Sequence, residues 1–185
     1  MRSEIIVIDG FYSNPNEVRE WALEKDFSVE GNYPGKRTVP DPFETNSLRS
    51  HIEGILSTKC TRWTHAEYNG SYQICTKDTR ETWIHADKNN HWSVVVYLTP
   101  APPRNSGTLF YEHDDTGKRL YDNVDGPYIE NEGQEWDKWT PTDQVQNVYN
   151  RALFFRGDLW HCAAQPYFGE SKEDGRLIQT FFFDV

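Results

Sequence analysis

The first fifty-odd residues switch between two hydrophobic periods. Glu4-Ile5-Ile6-Val7-Ile8-Asp9 is a short β-branched run closed by Asp9-Gly10, the pattern of a strand. Asn14-Pro15-Asn16-Glu17 follows as a helix start: Asn14 suits the cap, Pro15 the first turn, and Glu17 stands three residues beyond the cap. Val18, Trp21, Ala22 and Lys25 continue at helical spacing, which predicts one face packed on a sheet. A second helix is predicted over Asn46 to Leu56, with Leu48, Ile52 and Ile55 on one stripe; His51 on it reads as a structural or surface histidine.

From residue 60 the pattern turns to short strands. They are predicted at Trp63 to Tyr68, Ser71 to Thr76, Glu81 to Ala86, Trp92 to Leu98, Thr108 to His113, Asn150 to Phe155 and Arg176 to Phe183. Asn69-Gly70 is a two-residue hairpin signal, and Asp114-Asp115-Thr116-Gly117 marks another turn. Lys118 to Asn147 is polar, with Tyr121, Tyr128, Trp136 and Trp139 scattered through it. It reads as a long irregular insertion and a candidate lid. Helices followed by many strands predict an α+β, mainly β chain. The expected core is a double-stranded β-helix (jelly roll, cupin-like), with the N-terminal helices of residues 1–58 packed against the β structure of 60–185 in one domain.

Composition narrows the class. A length of 185 residues suffices for a packed core, and 15% aromatic residues with seven tryptophans favour a sheet interior. The formal charge of −10 makes nucleic acid a poor partner. Three separated cysteines (Cys60, Cys75, Cys162) form neither a disulfide framework nor a zinc knuckle and read as reduced thiols of a cytoplasmic protein. The apolar run Ile5 to Ile8 is too short for a signal peptide or a membrane span.

The chemistry lies in His85-Ala86-Asp87. On an extended strand, positions i and i+2 project from one face, so imidazole and carboxylate can reach one metal ion; on a helix they would diverge. His161, after the turn at Gly157-Asp158, supplies a second imidazole. Two histidines and a carboxylate cap one face of an octahedron and leave the other open, which suits non-haem Fe(II). Arg176 opens the apolar run Leu177 to Phe183, and alternation puts Arg176, Ile178, Thr180 and Phe182 on one face. An arginine pointing inward there requires an anion, and a planar guanidinium pairs with a carboxylate through two parallel hydrogen bonds. The set suits an oxo-dicarboxylate held against iron.

These residues resemble those of the Fe(II)/2-oxoglutarate-dependent dioxygenases, especially the prolyl-hydroxylase-like branch, over residues 71 to 183. His85-Ala86-Asp87 is similar to the H-x-D pair. Val94 to Thr99 resembles a strand ending Tyr-Leu-Asn, with Thr99 in place of Asn. Ser106-Gly107-Thr108-Leu109 is similar to a Gly-Gly-x-Leu turn with one glycine missing. His161 and Arg176 fall at the distal histidine and cosubstrate arginine. The interval between them exceeds the family's usual spacing, an excess assigned to a hairpin loop from Pro166 to Asp174. Lys172 is nearer that spacing, but it lies in a polar loop segment, so Arg176 is preferred. A finer resemblance, to an uncharacterised bacterial and phage group with W-I-H-A-D and G-R-L-x-Q-T-F-F-F-D stretches, carries no substrate.

The resemblance implies that His85, Asp87 and His161 hold Fe(II). It implies that Arg176 with Tyr97 and Thr180 holds the far carboxylate of 2-oxoglutarate, with Gln73 nearby. It further implies a reaction with O2 that hydroxylates a small molecule or a peptide side chain and releases succinate and CO2. Asp87 favours hydroxylation, since related halogenases lack that carboxylate. Against this stand plainer readings. Tyr97 also fits cross-strand packing, His91 a solvated loop, His113 a substrate contact and His65 a structural role; Glu130, Glu132 and Glu135 fit a solvated surface. Two other classes fit the same residues: a cupin-type metal enzyme that uses no 2-oxoglutarate, and a non-catalytic β-sandwich binding module.

Overall fold

In the computed structural model, residues 4–40, 42–63, 69–79 and 81–185 are described, with side chains from residue 47 onward in the second helix. The strand expected at Trp63 to Tyr68, and His65 within it, lies mostly outside them. The Ile5–Ile8 run forms β1 (Ile5–Asp9), and α1 (Pro15–Glu24) follows at the Asn-Pro start. Asn14 stands at the cap position without a side-chain cap bond; its amide instead reaches Glu17 Oε2 at 3.3 Å. Then come β2 (Lys36–Arg37), α2 (Pro42–Leu56), β3 (Tyr72–Cys75), β4 (Trp92–Tyr97), β5 (Gly107–His113), a one-turn α3 (Gly126–Ile129), β6 (Trp139–Gln146), β7 (Arg151–Arg156), β8 (His161–Ala164) and β9 (Arg176–Phe183).

Nine strands make two antiparallel sheets among the described residues. The larger runs β1-β7-β4-β9-β3-β2 and the smaller β6-β5-β8. Alternation along the larger sheet separates its two faces. Val94, Val96, Ala152, Phe154, Leu177, Phe181 and Phe183 turn outward to a core that Ala22 of α1 and Ile52 of α2 complete. Tyr97, Leu153, Phe155 and Ile178 turn inward to meet Phe110 and Leu159 from the smaller-sheet side. The chain is therefore mainly β and jelly-roll-like, with helices packed on one outer face, and the sheets do not close into a barrel. Trp21 departs from the expected helix face: it is 44% exposed, with Lys25 Nζ 3.5 Å over its ring.

Two element predictions are corrected. Glu81 to Ala86 is not a ladder strand; within the described residues of that stretch its one pairing is an isolated bridge between His85 and His161. The stretch from Lys118 to Asn147 is not irregular throughout, because β6 pairs with β5 along its full length, from Gly107–Gln146 to His113–Trp139. Polar residues facing solvent hid this edge strand. Trp139 is buried in a third cluster with Ile84, Ile129, Tyr111 and Trp160. No helix among the described residues is long and apolar enough to cross a membrane.

Candidate metal centre

The short bridge between His85 and His161 builds the site. Each backbone N–H of the pair donates to the other's carbonyl, at 3.0 and 2.9 Å. The close approach depends on Gly157 at the corner after β7. A Cβ there would stand 2.3 Å from Asn90 O and 2.7 Å from Asp87 O, so a side chain would push the two segments apart.

The imidazole rings of His85 and His161 lie 4.5 Å apart. His85 Nδ1 bonds Trp83 O at 3.0 Å and His161 Nδ1 bonds Leu159 O at 2.8 Å. Carbonyls only accept, so each Nδ1 carries the proton and each Nε2 is left with its lone pair. Those Nε2 atoms point to Asp87, 4.0 Å from His85 to Oδ1 and 3.6 Å from His161 to Oδ2. Ser93 Oγ donates to Asp87 Oδ2 at 2.6 Å and fixes the carboxylate. Ligand atoms of all three side chains lie within 4.8 Å of one another. Burial, with His85 adding to it, holds the His161 imidazole down at about 4, so this ring is neutral and able to ligate at ordinary pH. The donor set fits a divalent first-row metal.

Behind this triad lies the arginine expected from the sequence. Arg176 is 2% exposed; its Nη2 donates to Gly107 O at 3.3 Å, its Nε has no partner, and no carboxylate forms an ion pair with it among the described residues. Thr180 Oγ1, on the same face of β9, is also buried without a partner. An anion with hydrogen-bonding oxygens would satisfy both groups, which is the fit that 2-oxoglutarate requires. Tyr97 is fully buried, its ring centroid 5.8 Å from Arg176 Cζ, and its hydroxyl bonds Thr108 Oγ1 at 2.7 Å. Burial pushes its phenol up, so it stays protonated. Arg176, Thr180, Gln73, Ser93, His85, Asp87 and His161 line one cleft, as the alternation of β9 requires.

Other candidates go elsewhere. Lys172 donates to Leu23 O. His91 is exposed and its Nδ1 meets Val185 O, and His51 packs edge-on against Phe11. His113 corrects the expectation of a substrate contact: it is fully buried between Thr116 Oγ1 (3.0 Å) and Glu132 Oε2 (2.7 Å). Glu132, read as solvated surface, is buried too and receives the Lys138 ammonium. The sequence reading missed Ser93, whose hydroxyl in an apolar alternating strand was a usable signal. It also missed Arg37 and Tyr33, which line the same cleft from a two-residue strand and its hairpin, too short to show a period.

Residues 1–183 match the model of a family described as "Family of unknown function (DUF6445)". No curated protein matches the chain. Among solved structures, the chain is similar to HygX from Streptomyces hygroscopicus with nickel and 2-oxoglutarate bound (13% identity, TM-score 0.63, 98% of this chain and 82% of that one). It is also similar to a Pseudomonas putida prolyl-4-hydroxylase (14%, TM-score 0.53, 97% and 91%). A Trichoplax adhaerens prolyl hydroxylase in complex with a hypoxia-inducible-factor peptide is a third (16%, TM-score 0.55, 97% and 83%). At these identities the likeness is one of fold.

Proposed function

We propose that this chain, which belongs to the DUF6445 family of unknown function, is an Fe(II)- and 2-oxoglutarate-dependent oxygenase that hydroxylates a small molecule or a peptide side chain. The observation that carries this reading is the pairing of a His-Asp-His triad with a buried guanidinium that meets no carboxylate among the described residues. The folds it resembles include proteins solved with 2-oxoglutarate, which agrees with that pairing.

Iron with 2-oxoglutarate and O2 supplies, when bound, the oxidising power for inserting oxygen into a C–H bond. The chain's share is placement. His85 and His161 keep Nδ1–H on Trp83 O and Leu159 O, so Nε2 is presented in a fixed orientation. Asp87 supplies the carboxylate, steered by Ser93. Arg176 and Thr180 hold the far carboxylate of the cosubstrate, with Tyr97 behind them. The inward apolar residues Val95, Phe155, Ile178 and Phe182 exclude water from the space between.

Purified protein supplied with Fe(II), 2-oxoglutarate and O2 is expected to release succinate, scored by NMR. Asp87→Ala should abolish the release. Arg176→Met should raise the 2-oxoglutarate requirement about 100-fold, the scale of losing a charge-assisted contact of about 3 kcal/mol. No succinate from folded, iron-loaded protein over prolonged incubation would overturn the reading.

A further inference from the structure

A sheet edge presents unpaired N–H and C=O groups and takes up a further strand unless the chain guards it. Among the described residues the two sheets have four edges, and three are guarded. β2 is only two residues long. β6 carries Pro141 and Asp143, and its register against β5 slips at Phe110 and Tyr111. β8 is crossed by the His85 bridge. β1 differs. Ile5-Ile6-Val7-Ile8-Asp9 holds no proline and no lysine, pairs with β7 in unbroken register, and at five residues has an ordinary strand length.

The phase of the ladder fixes which groups of β1 face outward. Arg156 N–H donates to Glu4 O at 3.0 Å, while Gly157 N–H donates the other way, to His91 O at 3.0 Å. Alternation from there turns Phe154 and Ala152 toward β1, where Ile6 and Ile8 meet them. The N–H and C=O groups of Ile5, Val7 and Asp9 therefore point away from β7, and none of them has a partner among the described residues. Val7, at the centre, is 41% exposed. The acids at either end are already matched within the chain. Asp9 accepts two bonds from Arg151, at 2.6 and 3.0 Å, and Glu4 lies 3.9 Å from Arg156.

We propose that β1 pairs with β1 of a second copy of this chain, antiparallel about a two-fold axis at Val7. The occupant follows from self-complementarity. Antiparallel strands exchange bonds between facing residues of one phase, and the outward set Ile5, Val7, Asp9 is symmetric about its middle member. In that register Val7 meets its own counterpart and Ile5 meets Asp9. Ile6 meets Ile8 on the face that packs toward the helices, an apolar cross-strand pair of the kind that stabilises sheets. A chain of formal charge −10 repels its copy at long range, but this edge is locally neutral because Arg151 and Arg156 stand against its acids. A basic peptide would find no unmatched carboxylate on β1 to draw it there. Each copy has one such edge, so the assembly closes at two. Sheet order places β1 at the end opposite β2 and the Tyr33 turn, so the pairing leaves the cleft mouth open.

The test is sedimentation equilibrium of the full chain at micromolar concentrations, with amide hydrogen exchange read residue by residue. The unaltered protein should show twice the 21.7 kDa mass of one chain, and the N–H groups of Ile5, Val7 and Asp9 should be protected along with those of Ile6 and Ile8. Val7→Pro removes one outward N–H and leaves the bonds of Ile6 and Ile8 to β7, as proline on an edge strand allows. Its mass should fall to that of one chain, with the circular dichroism spectrum unchanged. If Val7→Pro does not fold, Val7→Lys decides: it sets two ammonium groups face to face at the axis and should give the same loss. A single-chain mass at every concentration, a dimer that survives either variant once folded, a dimer whose Val7 N–H still exchanges freely, or an open-ended larger assembly would each overturn the proposal.

Discussion

Ser93 shows how much a single hydroxyl sets at this site. Its bond to Asp87 Oδ2, at 2.6 Å, occupies one lone pair of that oxygen, which also faces His161 Nε2 at 3.6 Å, and leaves Oδ1 toward His85 Nε2. Removing such a partner leaves the ligand in place but free to rotate. Ser93→Ala is therefore expected to weaken Ni(II) or Co(II) binding about tenfold in calorimetric titration, with the circular dichroism spectrum unchanged. Equal metal affinity in the two proteins would show that Asp87 is oriented by something else. At this scale the sequence was most legible where strand geometry forces the answer. His85 and Asp87 share a face because they are i and i+2 in extended chain. Arg176 and Thr180 share one because β9 alternates. Arg37 stayed hidden because its place depends on a hairpin turn and on Gln73 of another strand.

At the scale of elements, the corner between β7 and β8 matters more than either strand. Gly157 lets that corner touch the backbone of residues 87 to 90, with its N–H donating to His91 O at 3.0 Å. Gly157→Ala would force the segments apart, at a cost of about 1–3 kcal/mol for overpacking against backbone. The melting temperature is expected to fall by about 4–8 °C, taking about 2 kcal/mol as the cost, and metal affinity should drop with it. An unshifted melting curve with full metal affinity would mean the corner relaxes without disturbing the triad. The elements most legible in sequence were those with strong patterns: β9 matches its expected range, and β1, β4 and β7 lie within a residue of theirs. β6 escaped notice because an edge strand with one wet face carries little hydrophobic signal. The His85 segment was read as a strand, yet it makes a single bridge, which was enough for the i, i+2 geometry to hold.

For the whole molecule, the two faces of one sheet divide the work. The outward face and the helices hold the larger core, while the inward face carries Arg176 and the apolar lining and looks onto the triad, which β8 of the smaller sheet and the bridged His85 segment supply. Helices followed by strands announced that division, but the sandwiching of a small sheet over a large one came from long-range pairings that no local period encodes. Of the aromatic residues of 118–147, Trp139 serves a core on the far side of the small sheet, and the turn around Tyr33 lines the mouth. The proposed function requires iron and 2-oxoglutarate to share the cleft between the two sheets. Its most direct test is an anaerobic titration of Fe(II)-loaded protein with 2-oxoglutarate, followed in the visible. A weak metal-to-ligand charge-transfer band should grow to saturation and be absent in folded Asp87→Ala. A folded parent protein that shows no band and no calorimetric heat on addition of 2-oxoglutarate would contradict it.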